Sequence, residues 1–201
     1  MSEPPLLPLL DGVPPERRDA ARNRELLLVA ATELVEQLGP RAVTMDAVAA
    51  AAGVGKGTVF RRFHSREGLM AAVLDHSEAS WQAQVMSGRP PLGPGAEPWD
   101  RLLAFGRTRL ETTLVHVELI REAGRTASRA GGAYAFTVTH IRYLLRELGV
   151  EDHLPVFAAA LLGPLELALD DRIAVEAFPL ERVYEGWVAL ARRIVRPGAD
   201  T

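Results

Sequence analysis

Apolar positions along this chain recur at helical spacing, and no stretch alternates in the manner of a strand. Leu27, Ala30, Ala31, Leu34 and Leu38 form a first stripe, which Gly39-Pro40 ends. Met45, Val48, Ala49 and Ala52 then give an apolar face to a short helix from about 46 to 52, with Thr44 as its N-cap. Gly53 stands where that helix must stop, since a residue without Cβ takes the left-handed C-terminal position at little cost. A second short helix starts near Gly55 and is expected to anchor through Val54, Val59 and Phe63. Ser65 is a suitable N-cap for a long helix to about Met86, with Leu69, Met70, Val73, Leu74, Trp81 and Val85 along it.

The stretch from Gly88 to Pro98 is too rich in glycine and proline for a helix and reads as the main linker. Beyond it the pattern predicts helices near 99–123, 133–148, 152–174 and 179–195, broken at Gly131-Gly132, Gly149 and Pro179. Pro164 would kink the third of these or begin a new turn. In the last helix Leu180, Tyr184, Trp187, Ala191 and Ile194 make a seam, and Phe157, Leu161, Leu165 and Ala168 make another in the helix before it. Such seams suit burial inside one subunit or packing between two subunits. The fold class is all-α, with no internal repeat.

Composition changes this picture little: 201 residues with 48% hydrophobic and 24% charged suit one large or two small globular domains. The absence of cysteine removes disulfide frameworks, thiol catalysis and cysteine-ligated metals together, and fits a reducing cytoplasm. Pro4 to Leu10 is apolar but has no preceding basic region and is broken by Pro8, so no secretory signal is expected. The apolar run Leu154–Leu165 is too short to span a bilayer. Residues 1–15, with five prolines among them, are expected to be a mobile arm. Arg17, Arg18, Arg22 and Arg24 follow it, interleaved with Glu16, Asp19 and Glu25, with which they can pair along a solvated helix face.

Charge matters most in the short helical hairpin. Between Ala47 and Arg66 the only charged residues are Lys56, Arg61, Arg62 and Arg66, on a chain whose net charge is −3. A helix with an exposed N-terminal end, cations on its face and no acids fits a recognition helix in the major groove of DNA. A solvated hairpin inside an all-α enzyme would use similar spacing.

The sequence Ala52-Gly53-Val54-Gly55-Lys56-Gly57-Thr58-Val59-Phe60-Arg61-Arg62-Phe63, followed by Ser65-Arg66-Glu67-Gly68-Leu69, resembles the N-terminal domain of the TetR family of transcriptional regulators. The resemblance covers about residues 20 to 76. Gly55 replaces the usual serine cap, Phe60 lacks the hydroxyl of the common tyrosine, and Arg62 stands where histidine is frequent. Arg62 could supply a charge-assisted phosphate contact in place of the tyrosine hydroxyl.

The resemblance implies a flexible arm over 1–15, a three-helix DNA-binding domain over 16–64 and a helical regulatory domain over 65–201, which binds ligand and dimerises. It implies a homodimer on an inverted-repeat operator in double-stranded DNA, acting as a repressor that a small-molecule effector releases. The DNA contacts would come from Arg22, Thr44, Gly55, Lys56, Gly57, Thr58, Phe60, Arg61 and Arg62. Candidate ligand contacts are Trp81, Phe105, His116, Tyr134, Phe136 and His140. No cofactor, metal, catalytic residue or membrane is implied.

Two alternatives stay open at this stage: a DNA-binding module without a ligand, and an all-α enzyme using His116, Glu118, His140 and His153. The enzyme reading has little behind it. His116 and Glu118 are two apart and point to different sides of a helix, and no Gly-x-Ser-x-Gly or strand-to-helix phosphate loop occurs.

Overall fold

The computed structural model describes residues 15–124, 131–169 and 179–195, with the side chains at 15–20, 131, 132 and 168 left aside. The proline-rich arm before Pro15, the side chains of Arg17, Arg18 and Ala168, and the end of the expected 152–174 helix lie outside the described residues. The described residues form eight α-helices: α1 Pro15–Leu38, α2 Met45–Ala51, α3 Lys56–Phe63, α4 Arg66–Ser87, α5 Pro98–Ala123, α6 Gly131–Glu147, α7 Leu154–Leu165 and α8 Leu180–Val195. Short 3-10 turns occupy Pro40–Ala42 and Leu167–Leu169. The chain divides into two compact units, one up to His64 and one from Ser65.

In the first unit α2 packs on both α1 and α3. Leu27, Leu28, Ala31 and Val35 are the buried residues of the α1 stripe, together with Ala30. Leu38 is instead 56% exposed, because it is the last helical residue and stands beyond the packed turns. Val48 and Ala49 of α2 and Val59 and Phe63 of α3 are buried. Met45 and Ala52 are only half-buried.

The α2–α3 turn is closed by its backbone. The Gly53 amide donates to the Ala50 carbonyl at 3.2 Å and the Val54 amide to that of Ala49 at 2.9 Å. This double bond pattern ends a helix with its C′ residue left-handed, and Gly53 has φ 66°. The reversal also turns Val54 outward. Contrary to the sequence expectation, it is exposed and does not anchor α3.

In the second unit Ser65 caps α4, its hydroxyl accepting from the Gly68 amide at 3.1 Å. The Gly/Pro run 88–97 is non-helical, but it joins α4 to α5, which pack against each other within this unit. It is therefore a connection inside the unit, and the division of the chain falls at His64 and Ser65. A Cβ on Gly93 would meet the Gly88 carbonyl oxygen, so the run folds tightly back on itself.

α7 stops at Leu165, earlier than the pattern predicts. Pro164 has no N–H to continue the ladder, and the Glu166 amide turns back to the Gly163 carbonyl at 3.2 Å.

The large core of this unit gathers Phe105 and Leu102 of α5, Ile141, Leu144 and Leu145 of α6, Leu161 and Leu165 of α7, and Trp187 and Ala191 of α8. The facing of α7 and α8 is thereby corrected. Leu161, Leu165, Trp187 and Ala191, expected at a subunit interface, are at most 1% exposed within the single chain. Phe157, Leu180, Tyr184 and Ile194 pack as half-buried residues against the same core. Gly106 explains the direction: its missing side chain leaves a slot filled by the Trp187 ring, whose N–H donates to the Leu161 carbonyl at 2.8 Å. Among the described residues no helix is long and apolar enough to cross a membrane.

A Cβ at Gly106 would run into the Trp187 ring. Gly106→Ala is expected to lower stability by about 1–3 kcal/mol through overpacking, outweighing a gain of about 1 kcal/mol in helix propensity. Urea melts check this, and an unchanged midpoint would mean Trp187 is not seated in that slot.

Candidate nucleic-acid interface and effector core

In the first unit the predicted DNA-binding residues of the hairpin fall on one short stretch. Thr44 caps α2, its hydroxyl accepting from the Ala47 amide at 3.1 Å. Gly55 is the N-cap of α3 and contributes no side-chain bond, so the first-turn amides of α3 stay unsatisfied by a side chain. Lys56, Gly57, Phe60, Arg61 and Arg62 are exposed, and Thr58 is half-buried. Arg61 donates to the Thr58 hydroxyl at 3.2 Å, which holds both side chains along one edge of the helix. Phe60 is 58% exposed, an aromatic ring left in water among cations. Arg22 is exposed on α1 of the same unit.

Lys56 is paired, a fact the sequence reading missed. Its Nζ lies 2.8 Å from Asp46 Oδ2, with both side chains well over half exposed. An ion pair so open to water is worth at most about 1 kcal/mol and can be exchanged for a phosphate. The available signal was that Asp46 is the one acid between Thr44 and Phe63.

In the second unit four of the six candidate ligand residues meet. Trp81 of α4 lies 5.1 Å from Phe105 of α5 and 5.9 Å from Phe136 of α6, ring to ring. His140 stacks on Phe105 at 5.0 Å and on Phe136 at 5.9 Å. Tyr134 does not join them and is 55% exposed. His116 belongs to an adjoining polar group, its Nε2 3.1 Å from the Ser77 hydroxyl.

At the centre of that group is Arg109, which the sequence reading did not select. It donates to Glu78 at 2.8 Å and Glu166 at 3.3 Å, and its guanidinium lies 5.0 Å over the Trp81 ring. Arg101 is also buried, and it donates to the Val85 carbonyl at 3.3 Å. A surface cleft of about 360 Å³ lined by Trp99, Leu148, Arg192 and Val195 contains none of the predicted ligand residues.

The family model for bacterial regulatory proteins of the tetR family matches residues 27–73. The chain is 40% identical over 65 residues to the HTH-type transcriptional repressor Rv3405c of Mycobacterium tuberculosis, a match over 30% of this chain and 35% of that protein. The same figures hold for the HTH-type transcriptional regulator Mb3439c of Mycobacterium bovis. The chain thus spans about a third of the length of these curated relatives. Among solved structures, the multidrug binding protein EbrR complexed with imidazole is similar at 25% identity and TM-score 0.52, over 92% of this chain and 97% of that one. The reduced form of E. coli NemR superposes with TM-score 0.58 at 18% identity, over 86% and 96%, which shows the fold.

Residues 27–73 form a TetR-type N-terminal domain.

That match places the α2–α3 hairpin in this domain, and the likeness to the solved structures extends the all-α fold over the second unit.

Burial pushes the His140 imidazole down to about 4, with the Arg101 charge adding to the effect. Burial also lowers His116, where Glu78 opposes and Arg109 assists. Between the ordinary histidine value near 6.5 and the lowered one, the unfolded chain binds more protons than the folded chain. Stability is therefore full above about 6.5 and declines as pH falls toward about 4. Thermal melts of His140→Gln across that range should show a shallower acid decline than the parent, and an identical decline would mean His140 is not held neutral.

Proposed function

We propose that this chain is a sequence-specific DNA-binding transcriptional regulator, a cytoplasmic homodimeric repressor that a small-molecule ligand releases from an inverted-repeat operator. The observation that carries the reading is α3, an eight-residue helix anchored by Val59 and Phe63 with Lys56, Phe60, Arg61 and Arg62 left uncovered. Its bare N-terminus adds unsatisfied amides and a positive dipole end, which favour phosphate or base acceptors. On this reading Lys56 leaves Asp46 to meet a phosphate or a base near the helix start. Thr58 and Phe60 face base edges and thymine methyls, and Arg61, Arg62, Thr44 and Arg22 hold the register on the backbone.

The ligand reading is supported by the buried aromatic and ionic core of the second unit, and by the similarity to EbrR, a multidrug binding protein. The dimer reading moves to the faces that the core leaves open. On α7 these are Val156, Ala159, Ala160 and Gly163, and on α8 Gly186 and Ala189, all exposed. Small side chains there allow helices of two copies to approach closely. Dimerisation would multiply the specificity of a hairpin that reads only a few base pairs.

Two measurements test the proposal. Lys56→Ala should weaken binding to duplex DNA and reduce the slope of log affinity against log salt by about 1. An unchanged slope removes the phosphate role. Ala160→Asp should convert a dimer to a monomer in sedimentation velocity, and a variant that sediments like the parent places the subunit contact elsewhere.

A further inference from the structure

The second unit buries an arginine whose hydrogen bonding is incomplete. Arg109 is 3% exposed. Its Nη1 is firmly held by Glu78 at 2.8 Å, while Nη2 reaches Glu166 only at 3.3 Å. Nε has no hydrogen-bond partner among the described residues. One turn further along α5, the Thr113 hydroxyl is equally unpartnered, on a residue 1% exposed. An N–H left unpaired in a protein interior is costly, so a site of this kind invites an acceptor.

The two weakly used groups share one edge. Nε–H and an Nη2–H of a guanidinium point the same way, in the fork that matches both oxygens of a carboxylate. Trp81 lies against the guanidinium and Phe105 against Trp81, so an aromatic wall adjoins the guanidinium. We propose that the Nε and Nη2 edge of Arg109 is the receptor for the carboxylate of an aromatic acid, with Thr113 as a further donor and Trp81 and Phe105 against its ring. This rests on the reading of the second unit as ligand-responsive, and names the chemical class of that ligand.

Glu166 gives the exchange its direction. Its side chain is 24% exposed, and its bond to Arg109 is the longer of the two. A ligand carboxylate replaces it charge for charge, and Glu166 moves toward water. An ammonium ligand would have to displace Arg109 itself, which is pinned between Glu78 and the Trp81 face. Because Glu166 sits between α7 and the following 3-10 turn, its release loosens the end of α7 from α5.

The experiment is titration calorimetry of the full chain with 4-phenylbutyrate, its primary amide and 4-phenylbutylammonium. The carboxylate should bind at least about tenfold more tightly than either analogue. Glu166→Gln should tighten carboxylate binding and Thr113→Val weaken it, each by roughly threefold to tenfold, with circular dichroism confirming that both variants fold. Equal or tighter binding of the amide or ammonium, no detectable carboxylate binding, or affinities unmoved in both folded variants would overturn the assignment. Retention of duplex DNA measured with each compound separates the two claims. Carboxylate binding that leaves DNA retention unchanged upholds the receptor and removes the releasing role, whereas release by the ammonium alone overturns the receptor and keeps the ligand-responsive reading.

Discussion

An eight-residue helix is too short to be stable alone in water, and α3 must nevertheless present a polar face with nothing of its own unit covering it. Its persistence therefore depends on two buried side chains, Val59 and Phe63, and on the turn that delivers it. Gly53 reverses the chain in the left-handed region while two backbone bonds close over the end of α2. Thr44 secures the other end of α2. Everything exposed on α3 is then free to be chosen for recognition and not for stability. That separation explains how cations and an uncovered phenylalanine can sit side by side on so short an element.

The second unit solves a different problem, the burial of charge. Arg109, Arg101, His116 and His140 all lie inside it. Burial lowers both histidines, which keeps them neutral at ordinary pH. Arg109 is held by two carboxylates and an aromatic face. Removing one partner from such a pair is expensive, but exchanging one partner for another of equal charge is not. On the proposed reading, a core built on exchange can change its contacts with a ligand without exposing or stranding a charge.

Much of this was legible in the sequence, for local reasons. Thr44, Gly53 and Ser65 mark helix ends because capping depends on neighbours a few residues away. The α3 anchors Val59 and Phe63 follow from helical spacing of apolar positions, whereas the meeting of Trp81, Phe105, Phe136 and His140 from three helices does not. What escaped depends on partners distant in the chain. The seam of Leu161, Leu165, Trp187 and Ala191 was visible as apolar, but a repeat says that a face is buried and not against what. Only the slot at Gly106 shows that it turns inward. Arg109 escaped because a charge on an apolar face reads as an interruption until Glu78 and Glu166 are seen beside it. Lys56 and Asp46 lie ten residues apart on two helices, and no periodicity joins them. Val54 and Leu38 were misplaced because an apolar residue at a turn or helix end has no fixed facing.

The central claim is that two copies of α3 read DNA in register. Its most direct test is selection from random duplex DNA by the purified full chain at moderate salt, with the retained molecules sequenced. The account predicts an enriched inverted repeat whose half-site centres lie about one helical turn, roughly 34–36 Å, apart or a small multiple of it. Retention that disappears with salt and leaves no common sequence would contradict it, because the cations of α3 would then be binding phosphate alone.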